Sequence, residues 1–346
     1  MASNVNKVLL SQPRGFCAGV EMAIKALGWM VRVFEAPVYC YHEIVHNQLV
    51  VERFKKLGVV FVDDINEVPF GYPLMLSAHG SAPEVVKQAQ EKGGVVINAV
   101  CPLVTKVHHE VKVRAKNGYK IIYVGHKGHD EALGTVAVAP ESIELVERVE
   151  EVSNIEKTSQ PIALLSQTTL AQREWSEILD EANKQFGTVW TAGKSDLCFA
   201  TTNRQGALEQ VAIRSDAVIV IGSPNSSNTL ALEKLAKESG CKNVYRIDGP
   251  DELPLDLEGT VGVTAGASAP QELIDGVIEK LNPLDGIEVV DVTIEDEYFP
   301  PPRELRDLVK ILSGLLSLGI GKHIDSSKIL GQDRNLNASE VIQTLA

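Results

Sequence analysis

The chain has 346 residues, is 44% hydrophobic and 23% charged, and carries a formal net charge of −13. This composition excludes a largely disordered chain, and the acidic balance argues against general nucleic-acid binding. No apolar run reaches the ~18 residues of a membrane-spanning helix, and residues 1–7 carry no leader pattern, so a cytoplasmic protein with no membrane partner is expected.

Short runs rich in Val and Ile read as strands at residues 7–10, 37–40, 59–62, 74–76 and 95–97. Between them, apolar residues at three- and four-residue spacing, such as Val50, Phe54 and Leu57, read as helices. The alternation predicts an α/β fold with mostly parallel sheets. It also repeats. Cys17, Cys101 and Cys198 each follow a short strand and open a helix. A strand and a first polar loop follow (42–47, 125–131, 222–228), then a second strand and loop (77–80, 166–170, 265–270). The expected architecture is three similar small α/β units, 1–100, 101–197 and 198–290, arranged pseudo-threefold around a central site. Residues 291–346 would form a C-terminal extended segment, helix and tail. In that region Phe299 and three prolines read as extended chain. Leu305, Leu308, Val309, Leu312, Leu315 and Leu316 form a stripe suited to a docked helix, or alternatively to a partner surface. The last twenty residues give no functional signal.

Ligands of parallel sheets sit at the carboxyl ends of the strands, where this repeat places its cysteines and loops. A helix start favours thiolate, and three thiolates suit an iron–sulfur cluster. With three ligands rather than the usual four, one iron would keep an open, Lewis-acidic position. Cys40 and Cys241 read as small buried hydrophobes. The five scattered cysteines form no disulfide framework and no C-x-x-C pair. His42 to His46 matches the zinc-protease pattern H-E-x-x-H, but it follows a strand and Asn47 reads as the helix cap, so its context is wrong. His46, His79, His129, Ser226, Ser227, Asn228 and Ser268 suit a phosphate or diphosphate; each alone also suits ordinary loop bonding and capping. Glu131 is a candidate proton donor, and Thr168 and Thr169 could relay protons or hold a substrate hydroxyl. Neither nucleotide-binding glycine motif is present.

The segments Arg14-GFCAGV, Glu43-IVHN, Ser77-AHG, Cys101-PLVTKVH, Gly128-HDE, Ser166-QTTL, Asp196-LCFATTNRQ, Ser226-SN and Thr264-AGASAP together resemble the 4-hydroxy-3-methylbut-2-enyl diphosphate reductase family, from about Lys7 to Arg303. The resemblance implies one [4Fe–4S] cluster per chain on Cys17, Cys101 and Cys198, with the fourth iron taking the substrate's allylic hydroxyl. It implies that His46, His79, His129, Ser226, Ser227, Asn228 and Ser268 hold the diphosphate, that Thr168 and Thr169 lie near the hydroxyl, and that Glu131 delivers a proton through Thr168. Two electrons, from ferredoxin or flavodoxin, and two protons would yield isopentenyl and dimethylallyl diphosphate. The family often carries Pro where this chain has Asp130, and the tail after Arg303 is longer than the family core. A zinc hydrolase using His42 and His46 and a non-catalytic cluster-bearing sensor are the competing readings. The first needs a helical 42–46 segment; the second has no use for Glu131 and the threonines.

Overall fold

The computed structural model describes residues 4–193, 195–321 and 323–345. The chain opens with β1 (Asn4–Gln12) and α1 (Ala18–Val33), then β2 (Val38–Tyr41), α2 (Gln48–Lys56), β3 (Val59–Val62), β4 (Leu74–Leu76), α3 (Pro83–Glu91) and β5 (Val96–Asn98). Next come α4 (Pro102–Lys116), β6 (Lys120–Val124), α5 (Asp130–Val136), β7 (Ile143–Val146), α6 (Val149–Val152), β8 (Ile162–Ser166), α7 (Gln172–Phe186) and β9 (Trp190–Thr191). The third stretch holds α8 (Phe199–Ala212), β10 (Ala217–Ile221), α9 (Ser227–Glu238), β11 (Asn243–Ile247), β12 (Glu258–Ala265), α10 (Gln271–Leu281) and β13 (Ile287–Asp291). The tail forms α11 (Arg303–Ile320), α12 (Ser326–Gln332) and α13 (Ala338–Leu345).

The strands make three wholly parallel sheets, ordered β3-β2-β4-β5, β7-β6-β8-β9 and β11-β10-β12-β1-β13. The expected α/β class with three similar parallel sheets is what the chain adopts. Membership of one strand differs from expectation. The first strand, read as part of residues 1–100, pairs with β12 and β13 and so fills the fourth place of the third sheet. The physical reason is a cyclic order: each cysteine follows the last core strand of one sheet and opens the helix leading to the next. With no strand before a fourth cysteine, the third sheet takes its missing strand from the chain's beginning.

Covered parallel sheets explain the unbroken Val and Ile runs. In β10, Ile219 and Ile221 pack with Ile274, Val277 and Leu281, whereas Val218 and Val220 pack with Leu208, Leu232 and Ala236. Both faces are thereby dry, and alternation disappears from the sequence.

The contacts group into two compact bodies: residues up to Cys17 with Leu103–Glu295, and Ala18–Pro102 with Asp296 onward. The second body contains the tail. The stripe on α11 docks only in its first half, through Leu305 and Val309, while Leu315 and Leu316 stay exposed. Residues 326–345, in a stretch silent in the sequence, contain α12 and α13 and clasp α1. Lys25 Nζ pairs with Asp333 Oδ2 at 3.0 Å and donates to the carbonyls of Asp333 and Leu336 at 2.9 and 3.2 Å. Tyr298 donates to Asp333 at 3.0 Å, and Glu21 accepts the Ala338 amide at 2.6 Å.

Candidate active site

Every polar loop of the repeat leaves the carboxyl end of a strand: β2, β6 and β10 for the first loops, β4, β8 and β12 for the second. In the larger body the centre is Thr168. Its amide donates to Glu131 Oε1 at 2.7 Å and its hydroxyl to Oε2 at 3.0 Å, while its carbonyl accepts the Cys198 amide at 3.0 Å. Glu131 lies in the first turn of α5, whose start is capped by His129 accepting the Glu131 amide at 3.1 Å. Burial raises the Glu131 carboxyl to about 7 despite the two Thr168 donors, with Asp196 adding a smaller upward push. Desolvation of the anion thus outweighs its hydrogen bonds.

Around Thr168 the loops interlock. Thr169 donates to Ser227 Oγ at 3.0 Å, Ser227 lies 3.3 Å from His126 Nδ1, and Gln167 links the Thr169 hydroxyl to the His126 amide. Ser226 caps α9. Asn228 accepts the Ala267 amide at 3.1 Å, next to the buried Ser268, and approaches Thr201 Oγ1 at 3.5 Å. Gly222 and Gly266 make room for this arrangement, because a Cβ on either would collide with the Thr229 hydroxyl in the first turn of α9.

Two cysteines meet in this body. Cys17 donates its amide to the Ala267 carbonyl at 3.2 Å. Cys198 caps α8, its sulfur accepting the Thr201 amide at 3.2 Å with Thr201 Oγ1 at 3.0 Å. Burial and the nearby Cys17 sulfur push the Cys198 thiol up to about 12, against the Thr201 bonds and the Arg204 charge. In the smaller body, His46 and His79 stack with ring centroids 4.0 Å apart, and Cys101 hangs by its amide on the Ala78 carbonyl at 3.0 Å. His46 Nδ1 lies 3.4 Å from Glu43 and His79 Nδ1 3.4 Å from Ser77 Oγ. All three half-buried cysteines carry free thiols, as do the buried Cys40 and Cys241, which sit as expected for small hydrophobes. His42 to His46 is not helical and α2 starts only after the Asn47 cap, so the H-E-x-x-H pattern lacks the helix face it requires.

The sequence reading missed His126, Gln167, Thr201 and Asp196 as parts of the site. His126 and Gln167 share loops with residues already singled out, so strand-end position was a usable signal. Asp196 is buried with Oδ2 accepting the Ser166 amide at 3.3 Å, and that burial raises its carboxyl to about 7. Asp196 opens the segment Asp196-LCFATTNRQ, but its burial against Ser166, 30 positions earlier, is not readable there.

Known proteins match this chain over most of its length. The family model described as LytB protein matches residues 8–282. A Rhodopirellula baltica protein named 4-hydroxy-3-methylbut-2-enyl diphosphate reductase is 45% identical over 87% of this chain and 96% of its own. A Streptomyces coelicolor protein of the same name is 42% identical over 88% and 92%. Among solved structures, the E-1-hydroxy-2-methyl-but-2-enyl-4-diphosphate reductase of Plasmodium falciparum superposes with a TM-score of 0.86 at 31% identity, over 89% of this chain and 99% of that one. A second, titled (E)-4-hydroxy-3-methyl-but-2-enyl diphosphate reductase, the terminal enzyme of the non-mevalonate pathway, gives 0.59 at 30% identity over 80% and 99%. Motifs, parallel sheets and these matches converge: this chain belongs to the LytB family, the family of those reductases.

Proposed function

We propose that the chain reduces (E)-4-hydroxy-3-methylbut-2-enyl diphosphate to isopentenyl and dimethylallyl diphosphate, consuming two electrons and two protons and releasing water. The observation that carries this reading is the pair of hydrogen bonds from Thr168 to Glu131, joined through the Thr168 carbonyl to the Cys198 amide. It sets an acid that holds a proton near neutral pH beside a candidate metal ligand.

The donor set fits an iron–sulfur group. Cys17, Cys101 and Cys198 are half-buried thiols just ahead of a helix, and two of them lie close enough for their charges to interact. These three would hold one [4Fe–4S] cluster, which when bound supplies electrons and a Lewis-acidic iron. Ferredoxin or flavodoxin fits as the one-electron donor, and the cytoplasm as the compartment. Among the described residues no helix is long and apolar enough to cross a membrane.

The chain's own residues do the rest. His46, His79, His129, Ser226, Ser227, Asn228 and Ser268 bind the diphosphate and so fix the position of the allylic C–O bond. Thr168 and Thr169 orient the hydroxyl. Protonated Glu131 donates to Thr168 Oγ1 while Thr168 passes its own hydroxyl proton to the leaving oxygen, which departs as water. Burial of Glu131 and Thr168 keeps bulk water away from the proton path.

An anaerobic preparation with iron and sulfide quantified tests the reading. About four irons per chain, with a visible spectrum that changes on adding the allylic diphosphate, is expected. A colourless chain that takes zinc after reconstitution with iron and sulfide would remove it.

A further inference from the structure

We propose that Arg204, with Glu295 as its countercharge, is a positioning residue for Cys17 and Cys198: it fixes the backbone segments carrying both sulfurs and sets the charge beside them. This rests on the cluster reading above. Arg204 is the largest fully buried side chain, at 0% exposure. A desolvated cation persists only where every donor finds an acceptor. Here Nε and Nη2 donate to the Gly15 carbonyl at 3.2 and 2.8 Å, and Nη2 reaches the Phe16 carbonyl at 3.3 Å. Nη1 donates to the Ala200 carbonyl at 2.9 Å and to both Glu295 oxygens at 2.9 and 3.0 Å. Asn203 adds a donor to Glu295 at 3.1 Å.

Position gives these contacts their meaning. Gly15 and Phe16 immediately precede Cys17. Gly15 adopts φ +67°, and a Cβ there would press the Ala269 carbonyl at 3.2 Å, so this turn is shaped as well as bonded. Ala200 lies in the first turn of α8, which Cys198 caps. One guanidinium therefore ties the two cysteine-bearing segments of this body to each other. A forked cation suits this task; an ammonium could not reach three carbonyls and a carboxylate in fixed directions. At the Phe16 carbonyl the guanidinium places its charge one residue from Cys17, and Glu295 offsets that charge at 2.9 Å. Net charge and bonding around cluster ligands set reduction potential.

The two partners should therefore move the potential in opposite directions. Glu295→Gln leaves the cation uncompensated and should raise the midpoint potential of the reconstituted full-length chain. Arg204→Met leaves the carboxylate and should lower it. Arg204→Lys keeps the charge without the fork and should bring the potential back towards the parent while broadening the spectroscopic signature of the cluster. Spectroelectrochemical titration, with iron and sulfide measured on each sample, reads all three. A merely structural role would shift both ion-pair variants the same way, and that result, or no shift in either, overturns the proposal. If Arg204→Met does not fold, the isosteric Glu295→Gln decides alone: no upward shift overturns it. A parent chain that binds no iron sinks the cluster reading first, an outcome distinct from an iron-bearing parent with unopposed shifts.

Discussion

At Glu131 two opposing effects are visible at one carboxyl, and burial wins over two donors from Thr168. The acid is protonated below about 7 and loses its proton above it. Turnover should therefore fall as pH rises through that value. Glu131→Gln should lower kcat by ~10²–10⁴ while KM changes little; a variant with parental kcat would end the donor assignment. Linkage adds a second expectation. The folded value lies above the ordinary 4.5, so the folded chain binds more protons between the two and loses stability as pH rises through that window. At pH 8 the Gln variant should melt at a higher temperature than the parent, and a lower Tm there would contradict buried ionisation. Glu131, Thr168 and the serines could be singled out from sequence because each follows a strand end. Asp196 and Arg204 could not, because their roles depend on partners 30 to 189 positions away.

Among the helices and strands, loop geometry depends on where the chain can approach itself. Gly266 and Gly206 look alike in sequence but differ in space. A Cβ on Gly266 would strike Thr229, whereas one on Gly206, inside α8, meets nothing within 4 Å. Gly266→Ala should destabilise by about 1–3 kcal/mol and raise KM for the diphosphate by moving Ser268. Gly206→Ala should be neutral or stabilising by about 0.5–1 kcal/mol. Chemical denaturation and steady-state kinetics on both variants check the pair, and equal effects would refute the spatial argument. Strands were legible to within about a residue at 59–62 and 74–76, since short unbroken apolar runs leave little choice of register. The extent of the α11 docking was not legible. Periodicity identifies an apolar stripe, but the length of the surface receiving it is a property of other elements.

For the whole chain, the clasp on α1 joins ends of the sequence 308 positions apart. Lys25 and Asp333 are each 6% exposed. Removing one member of such a pair strands a buried charge, so Lys25→Met should cost about 3–5 kcal/mol. Lys25→Met combined with Asp333→Leu should recover most of it. Thermal melts of the single and double variants test this; a harmless single variant would show that the pair is not desolvated in solution. The tail was silent in the sequence for a physical reason: helices of seven and eight residues are too short to show a periodic stripe, and their partners were made near the start of the chain.

The cyclic order of the sheets reaches further. Asn4 pairs with Glu258, and Val8 with Ile287. During synthesis at ~5–20 residues per second, the first strand emerges roughly 10–50 s before its neighbours exist. Until then a nine-residue strand with a mostly buried destiny is an unpaired sticky end on a nascent chain. The middle sheets can close as they are made, but the sheet beneath Cys17 cannot. The third sheet therefore waits for residues 258–291, and Cys17 gains its bond to the Ala267 carbonyl only after they are made.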